Sequence, residues 1–156
     1  GYTQWQQKNA SEDTAFDQAW AIVKMPFHGT SLSRANKIMQ EGLKPRQSEQ
    51  YDRWYGSPVS FSTPDYDAAL DYAASAMDRE DPPVVIHIPD EVPFDHQEQN
   101  AVNVYENTIP PELLSIMYQG PPSNEGEGYL DYRDRMNALM DTEYKRWLED
   151  EEDDRI

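Results

Sequence analysis

The period of the apolar residues changes several times along this chain. Phe16, Ala19, Trp20 and Val23 share one face of a helix predicted over Asp13–Lys24, and Met25–His28 then reads as a first strand. Ala35, Ile38 and Met39 recur at helical spacing within Ser33–Glu41, where Gly42 and Pro45 supply the stop. Gln47–Pro58 reads as a loop rich in Tyr51, Trp54 and Tyr55. Val59–Ser62 alternates as a strand does. After it Thr63 is placed to cap a helix, with Pro64 at its first position and Asp65 favourable to its dipole. That helix carries Ala68, Ala69, Tyr72, Ala73, Ala76 and Met77, and Pro82-Pro83 end it before Val84–Ile88, the clearest strand of the chain. A further strand is predicted over Ala101–Tyr105. Ile109-Pro110-Pro111 then begins a short helical turn leading to Leu114–Tyr118.

Gly120–Gly128 has the composition of a linker, with Pro121, Pro122, Gly126 and Gly128. Beyond it Met136, Leu139, Met140, Tyr144 and Trp147 form a helical stripe within Leu130–Leu148, followed by the acidic run Glu149–Asp154. The stripe is expected to pack on the body of the domain beside Trp20. A partner-binding helix is the sharper alternative. The resulting organisation is an N-terminal extension and helix over 1–24, a domain over 25–119, a linker over 120–128 and a C-terminal helix with an acidic tail over 129–156. A chain of 156 residues suffices for one domain with its own core.

Charge narrows the partners. Thirty acidic residues against 13 basic ones leave a net charge of −17, which disfavours attraction to nucleic acid or to an anionic lipid surface. High-salt solubility, capture of a basic protein partner and mimicry of nucleic acid all accommodate such a charge. With no cysteine there is no disulfide, thiolate metal site or Cys nucleophile, and His28, His87 and His96 are too scattered to suggest zinc. No apolar run approaches the roughly 20 residues of a membrane span or resembles a secretory signal, so a cytoplasmic location is expected.

Candidate chemistry concentrates in Phe27-His28-Gly29-Thr30-Ser31. A His at a strand end, followed by Gly and two hydroxyl residues, places backbone N–H groups and hydroxyls where a polar ligand can approach the main chain. The structural alternative is a strand-to-helix turn, with Gly relieving the bend and Ser31 or Ser33 capping the helix.

Several blocks agree in order and spacing with a known family. His28-Gly29-Thr30, the Ile38–Leu43 helix end, the Val59–Ser62 strand, the Ala68–Ala73 helix, the Val84–Ile88 strand and Val104–Leu114 together resemble the ADP-ribosyltransferase fold. The likeness is closest to its histidine-containing branch of poly(ADP-ribose) polymerases and RNA 2′-phosphotransferases, and it covers about residues 25–118. It implies an α+β fold of split antiparallel sheets with flanking helices, here with an added N-terminal helix and an amphipathic C-terminal one. NAD is the implied cofactor. By resemblance His28 contacts the adenosine ribose, the Gly29 backbone pairs with the nicotinamide carboxamide, and Thr30 belongs to the same strand. Ser60 takes the slot of a Tyr or His, and Tyr72 matches the aromatic residue that stacks on nicotinamide.

The family's late-strand Glu is the point of departure. Aligning on Ile109-Pro110-Pro111-Glu112-Leu113-Leu114 puts Asn103 in its place, with Glu106 further along and Glu98 before the strand. Residues 103 and 106 differ by an odd number, so only one of them faces the pocket on a regular strand. Cleavage of the ribose–nicotinamide bond passes through an oxocarbenium-like state that a carboxylate stabilises, whereas an Asn only positions. Asn103 is therefore the candidate on geometry, and Glu106 or Glu98 on chemistry. The function implied is an NAD-dependent ADP-ribosyltransferase acting on a protein or small-molecule acceptor. The alternatives are a catalytically degenerate fold that binds and blocks a basic protein, or an RNA 2′-phosphotransferase-like enzyme.

Overall fold

In the computed structural model, residues 26–155 are described, so the predicted helix over 13–24 and its Trp20 contact lie outside the described residues. The chain folds as mixed α+β with two three-stranded antiparallel sheets. One has the order β1 (Phe27–Ser31), β3 (Pro83–His87), β6 (Ser115–Gln119). The other has the order β2 (Ser60–Ser62), β5 (Asn103–Tyr105), β4 (His96–Gln97).

The central strand β3 shows why the first sheet forms. Val84, Val85 and Ile86 are all buried, because both faces of the sheet are covered. On one face Val85 joins Phe27, Tyr66, Ala69, Leu70 and Ala73. Tyr66, Ala69, Leu70 and Ala73 come from helix α3 (Tyr66–Ala76), and the cluster is sealed by Tyr132, Met136, Met140 and Trp147 of helix α4 (Tyr129–Arg155). Val84 and Ile86 point the other way. They meet Ala35 of helix α1 (Leu32–Glu41) together with Leu43, Tyr105 and Ile109. Phe27 lies 5.0 Å from Tyr66 and 6.2 Å from Trp147 by ring centroids, and such pairs add about 0.5–1.5 kcal/mol each beyond their burial.

Several expected boundaries move, each for a local reason. The first strand runs over Phe27–Ser31 and not Met25–His28, because its ladder with β3 extends to the Ser31–Pro83 pair. Ser31 occupies the N-cap position of α1 without a side-chain cap bond. Asp81 serves instead: its carboxylate accepts from the Ser33 N–H at 2.7 Å and from Ser33 Oγ at 2.6 Å. The N-cap of α3 is Asp65, whose side chain accepts from the Asp67 N–H, and not Thr63. Thr63 is drawn away into a bridge with Phe27.

The stretch expected as loop contains helix α2 (Glu49–Tyr55). The predicted Ala101–Tyr105 strand shortens to Asn103–Tyr105, since Asn100 and Ala101 take left-handed φ of 62° and 59° in the preceding turn. Residues after Leu114 form β6. Helix α4 continues through the acidic run, and of its stripe Leu139 stays exposed while Met136, Met140 and Trp147 are buried. No helix among the described residues is long and apolar enough to cross a membrane.

Candidate functional site

Just past the end of β2, the main chain at Thr63 pairs with Phe27 of β1, and the two strands then part. Phe27 and Thr63 exchange both main-chain hydrogen bonds at 2.8 Å, and beyond this bridge a cleft of about 1350 Å³ is lined from both strands. His28, Gly29, Thr30, Ser60 and Tyr72 all line it.

The pairing pattern of β1 decides what the cleft sees of Gly29. The Pro26 carbonyl accepts from Ile88 N–H, and Leu32 N–H donates to the Pro82 carbonyl, so even-numbered residues of this segment carry the ladder to β3. Odd-numbered residues present their N–H and C=O on the opposite edge. Phe27 spends its pair on Thr63. Gly29 therefore presents one donor and one acceptor on an open edge, and no described residue outside the ladder takes them.

Gly29 lacks a side chain for a separate reason. A Cβ there would sit 2.0 Å from the Ala69 carbonyl oxygen, 2.8 Å from the Ala73 nitrogen and 2.9 Å from Tyr72 Cβ. Close packing of α3 on β1 demands the glycine, and the same packing brings Tyr72 alongside it. Tyr72 is 59% exposed and outside the core.

His28 Nδ1 lies 2.8 Å from the Phe61 carbonyl on β2. Since that carbonyl only accepts, Nδ1 carries the proton of a neutral ring and Nε2 is an acceptor. Burial holds the imidazole below its usual value; the Phe61 bond opposes this, and the charge of Arg34 reinforces it. Ser60 is 5% exposed, and its Oγ has no hydrogen-bond partner among the described residues. An unpaired buried hydroxyl costs about 1–3 kcal/mol, so one lining a cleft is a poised ligand group.

Of the three candidate acids and amides, Glu98 lines the cleft. It follows β4 and is tied to the Tyr55 phenol, whose value is raised first by burial and then by its hydrogen bond to Glu98. The turn beyond it closes through Glu98 N–H to the Val102 carbonyl at 2.7 Å. Asn103 lies outside the lining. It is buried within the β2–β5–β4 ladder, and its Oδ1 accepts from Gln97 Nε2 at 3.0 Å. Glu106 is also outside the lining, accepting from Ser57 Oγ at 3.1 Å with His96 Nε2 at 3.8 Å.

The opposite wall joins the aromatic segment of Tyr51, Trp54 and Tyr55 to helix α1. Tyr51 and Tyr55 pack on Phe61 at 5.3 and 5.9 Å and carry Trp54 and Arg53 of α2 to the cleft. Arg34, Lys37 and Glu41 recur at helical spacing on α1 and line it too. That spacing, opposite Ala35, was the available signal. Among the described residues no group of His, Asp and Glu is placed to hold a metal ion.

Comparisons with models of known protein families, with curated proteins and with solved structures give no match.

Proposed function

We propose that this chain is an NAD-dependent ADP-ribosyltransferase of the histidine-containing branch, transferring ADP-ribose to a protein or small-molecule acceptor. The observation that carries the reading is the open β1 edge at Gly29, flanked by His28 and Tyr72. A carboxamide offers one N–H donor and one C=O acceptor, the complement of what Gly29 presents. Tyr72 beside it provides a ring face for a flat heterocycle. The orphaned Ser60 Oγ supplies a further polar contact, and the Nε2 acceptor of His28 suits a ribose hydroxyl.

NAD supplies a glycosidic C1′–N bond whose electron pair leaves with nicotinamide, generating an oxocarbenium-like sugar. Glu98 is the carboxylate this reading assigns to that charge, in place of Asn103 and Glu106. It offsets the developing positive charge and takes the proton of an acceptor hydroxyl as the new C1′–O bond forms.

The test is nicotinamide release from labelled NAD, together with calorimetric binding. Wild-type protein is expected to bind NAD and release nicotinamide. His28→Ala weakens binding, and Glu98→Gln lowers turnover by about 10²–10⁴-fold with binding retained. A wild-type protein that neither binds NAD nor releases nicotinamide defeats the proposal.

A further inference from the structure

The cleft is cationic inside a strongly anionic molecule. Of 13 basic residues in a chain of net charge −17, five line this one cavity: Arg34, Lys37, Lys44, Arg46 and Arg53. Only Glu41 and Glu98 oppose them there. Lys44 pairs with Glu41 at 3.2 Å, and none of the other four makes an ion pair with a described residue. By contrast Arg133, Arg135, Lys145 and Arg146 of α4 all face carboxylates. With acidic residues in such excess, cations left unpaired on one wall mark a place where negative charge is supplied from outside.

NAD does not account for them. Its pyrophosphate carries two negative charges and its pyridinium one positive charge, which leaves most of the wall unanswered. Beside Arg53 the cleft also has Trp54, 61% exposed and held edge-on to Tyr55 at 6.4 Å. An exposed indole next to guanidinium and ammonium groups suits a flat base joined to a phosphate. The rest of the surface sets the size of that ligand. A field of −17 repels an extended polyanion, whereas a compact anion enters the cleft and meets only its local positive charge.

We infer that the wall formed by α1, the segment from Lys44 to Arg46 and α2 is a second subsite, which binds a mononucleotide-like phosphomonoester as the small-molecule acceptor. The inference deepens the transferase reading and rests on it for the acceptor role. The binding of a phosphomonoester does not. Arg34, whose charge acts on the His28 imidazole, and Arg53, next to Trp54 along the chain, are the two cations of this wall that the test addresses.

Uridine 5′-monophosphate is the probe, since it is not a fragment of NAD, with uridine as its uncharged control. Calorimetry at low salt is run with and without saturating NAD. The nucleotide is expected to bind at least tenfold more tightly than uridine and to bind also in the presence of NAD. It should weaken about tenfold in each of Arg34→Gln and Arg53→Gln and remain unchanged in Arg133→Gln on α4. Strict competition between the nucleotide and NAD overturns the second subsite and assigns the cations to the NAD pyrophosphate. Equal binding of uridine overturns it as well. Tighter binding of a 5′-phosphorylated oligonucleotide than of the mononucleotide overturns the compact-ligand claim. Nucleotide binding in a protein that neither binds NAD nor releases nicotinamide sinks the acceptor role, and with it the transferase reading, while the phosphate site stands.

Discussion

The face where α4 meets α3 and the cleft between β1 and β2 treat their charged and hydroxyl groups in opposite ways, although Trp147 Nε1 on the α4 face is also buried without a partner among the described residues. Under α4, Glu143 is 7% exposed, yet its carboxylate accepts from Tyr66 Oη at 2.9 Å and from the Arg146 guanidinium. Burial first, and then this carboxylate, push the Tyr66 phenol above its ordinary value. In the cleft, Ser60 Oγ, the Gly29 edge and four cations have no such partners. Satisfied polar groups fasten one element to another, while unsatisfied ones gathered in a cavity await a ligand. Sequence composition does not separate the two, since both regions mix Arg, Glu, Ser and Tyr.

Substitutions sharpen this contrast, and the largest effect is expected where the two regions meet. Gly29→Ala forces a Cβ against the Ala69 carbonyl and should destabilise the fold by about 3 kcal/mol or more, read from the denaturant midpoint. A near-normal midpoint would mean that α3 yields and that the close packing is not needed. Tyr66→Phe leaves Glu143 without one of its donors and should cost about 2 kcal/mol, without loss of NAD binding. Should NAD binding fall in step with stability, the α4 face and the cleft are not separate.

A smaller effect lies in acid. Arg135, hydrogen-bonded to Glu127, and the Asn124 N–H hold the Glu127 carboxyl down at about 2, against an ordinary 4.5. Because the folded value is the lower one, the stabilisation is present above about 4.5 and is lost as pH falls towards about 2. Arg135→Gln should flatten the decline in stability across that window. An unaltered acid limb would show that the pair contributes nothing. Last is Ser60→Ala, which removes an unpaired buried hydroxyl and should stabilise the ligand-free protein by about 1 kcal/mol and yet weaken NAD binding. A large destabilisation would mean that the hydroxyl has a structural partner after all.

Parts of this fold were legible because burial leaves a period. The Val84-Val85-Ile86 run marked the clearest strand and the apolar repeat of α3 marked a helix, while the covering of both faces of that strand shows only in the fold. Helix α2 and strand β4 were not legible. The first is a seven-residue polar and aromatic segment held by packing on Phe61, and the second is an exposed two-residue strand. At the site, the residues named through the resemblance, His28, Gly29, Ser60 and Tyr72, line one cavity. The choice among Glu98, Asn103 and Glu106 depended on where the β4–β5 ladder ends, which no one-dimensional spacing records. The cationic wall required three separate segments to converge.

Gly29 carries two constraints that evolution cannot relax separately. Its missing side chain is dictated by the neighbouring helix, and its main-chain edge belongs to the cleft. A mutational scan would record intolerance there whether or not the protein performs any chemistry. Selection can retune residues 28, 60 and 98 independently, so lineages that gain or abandon an activity should diverge at those positions while keeping the glycine as a relic of the architecture.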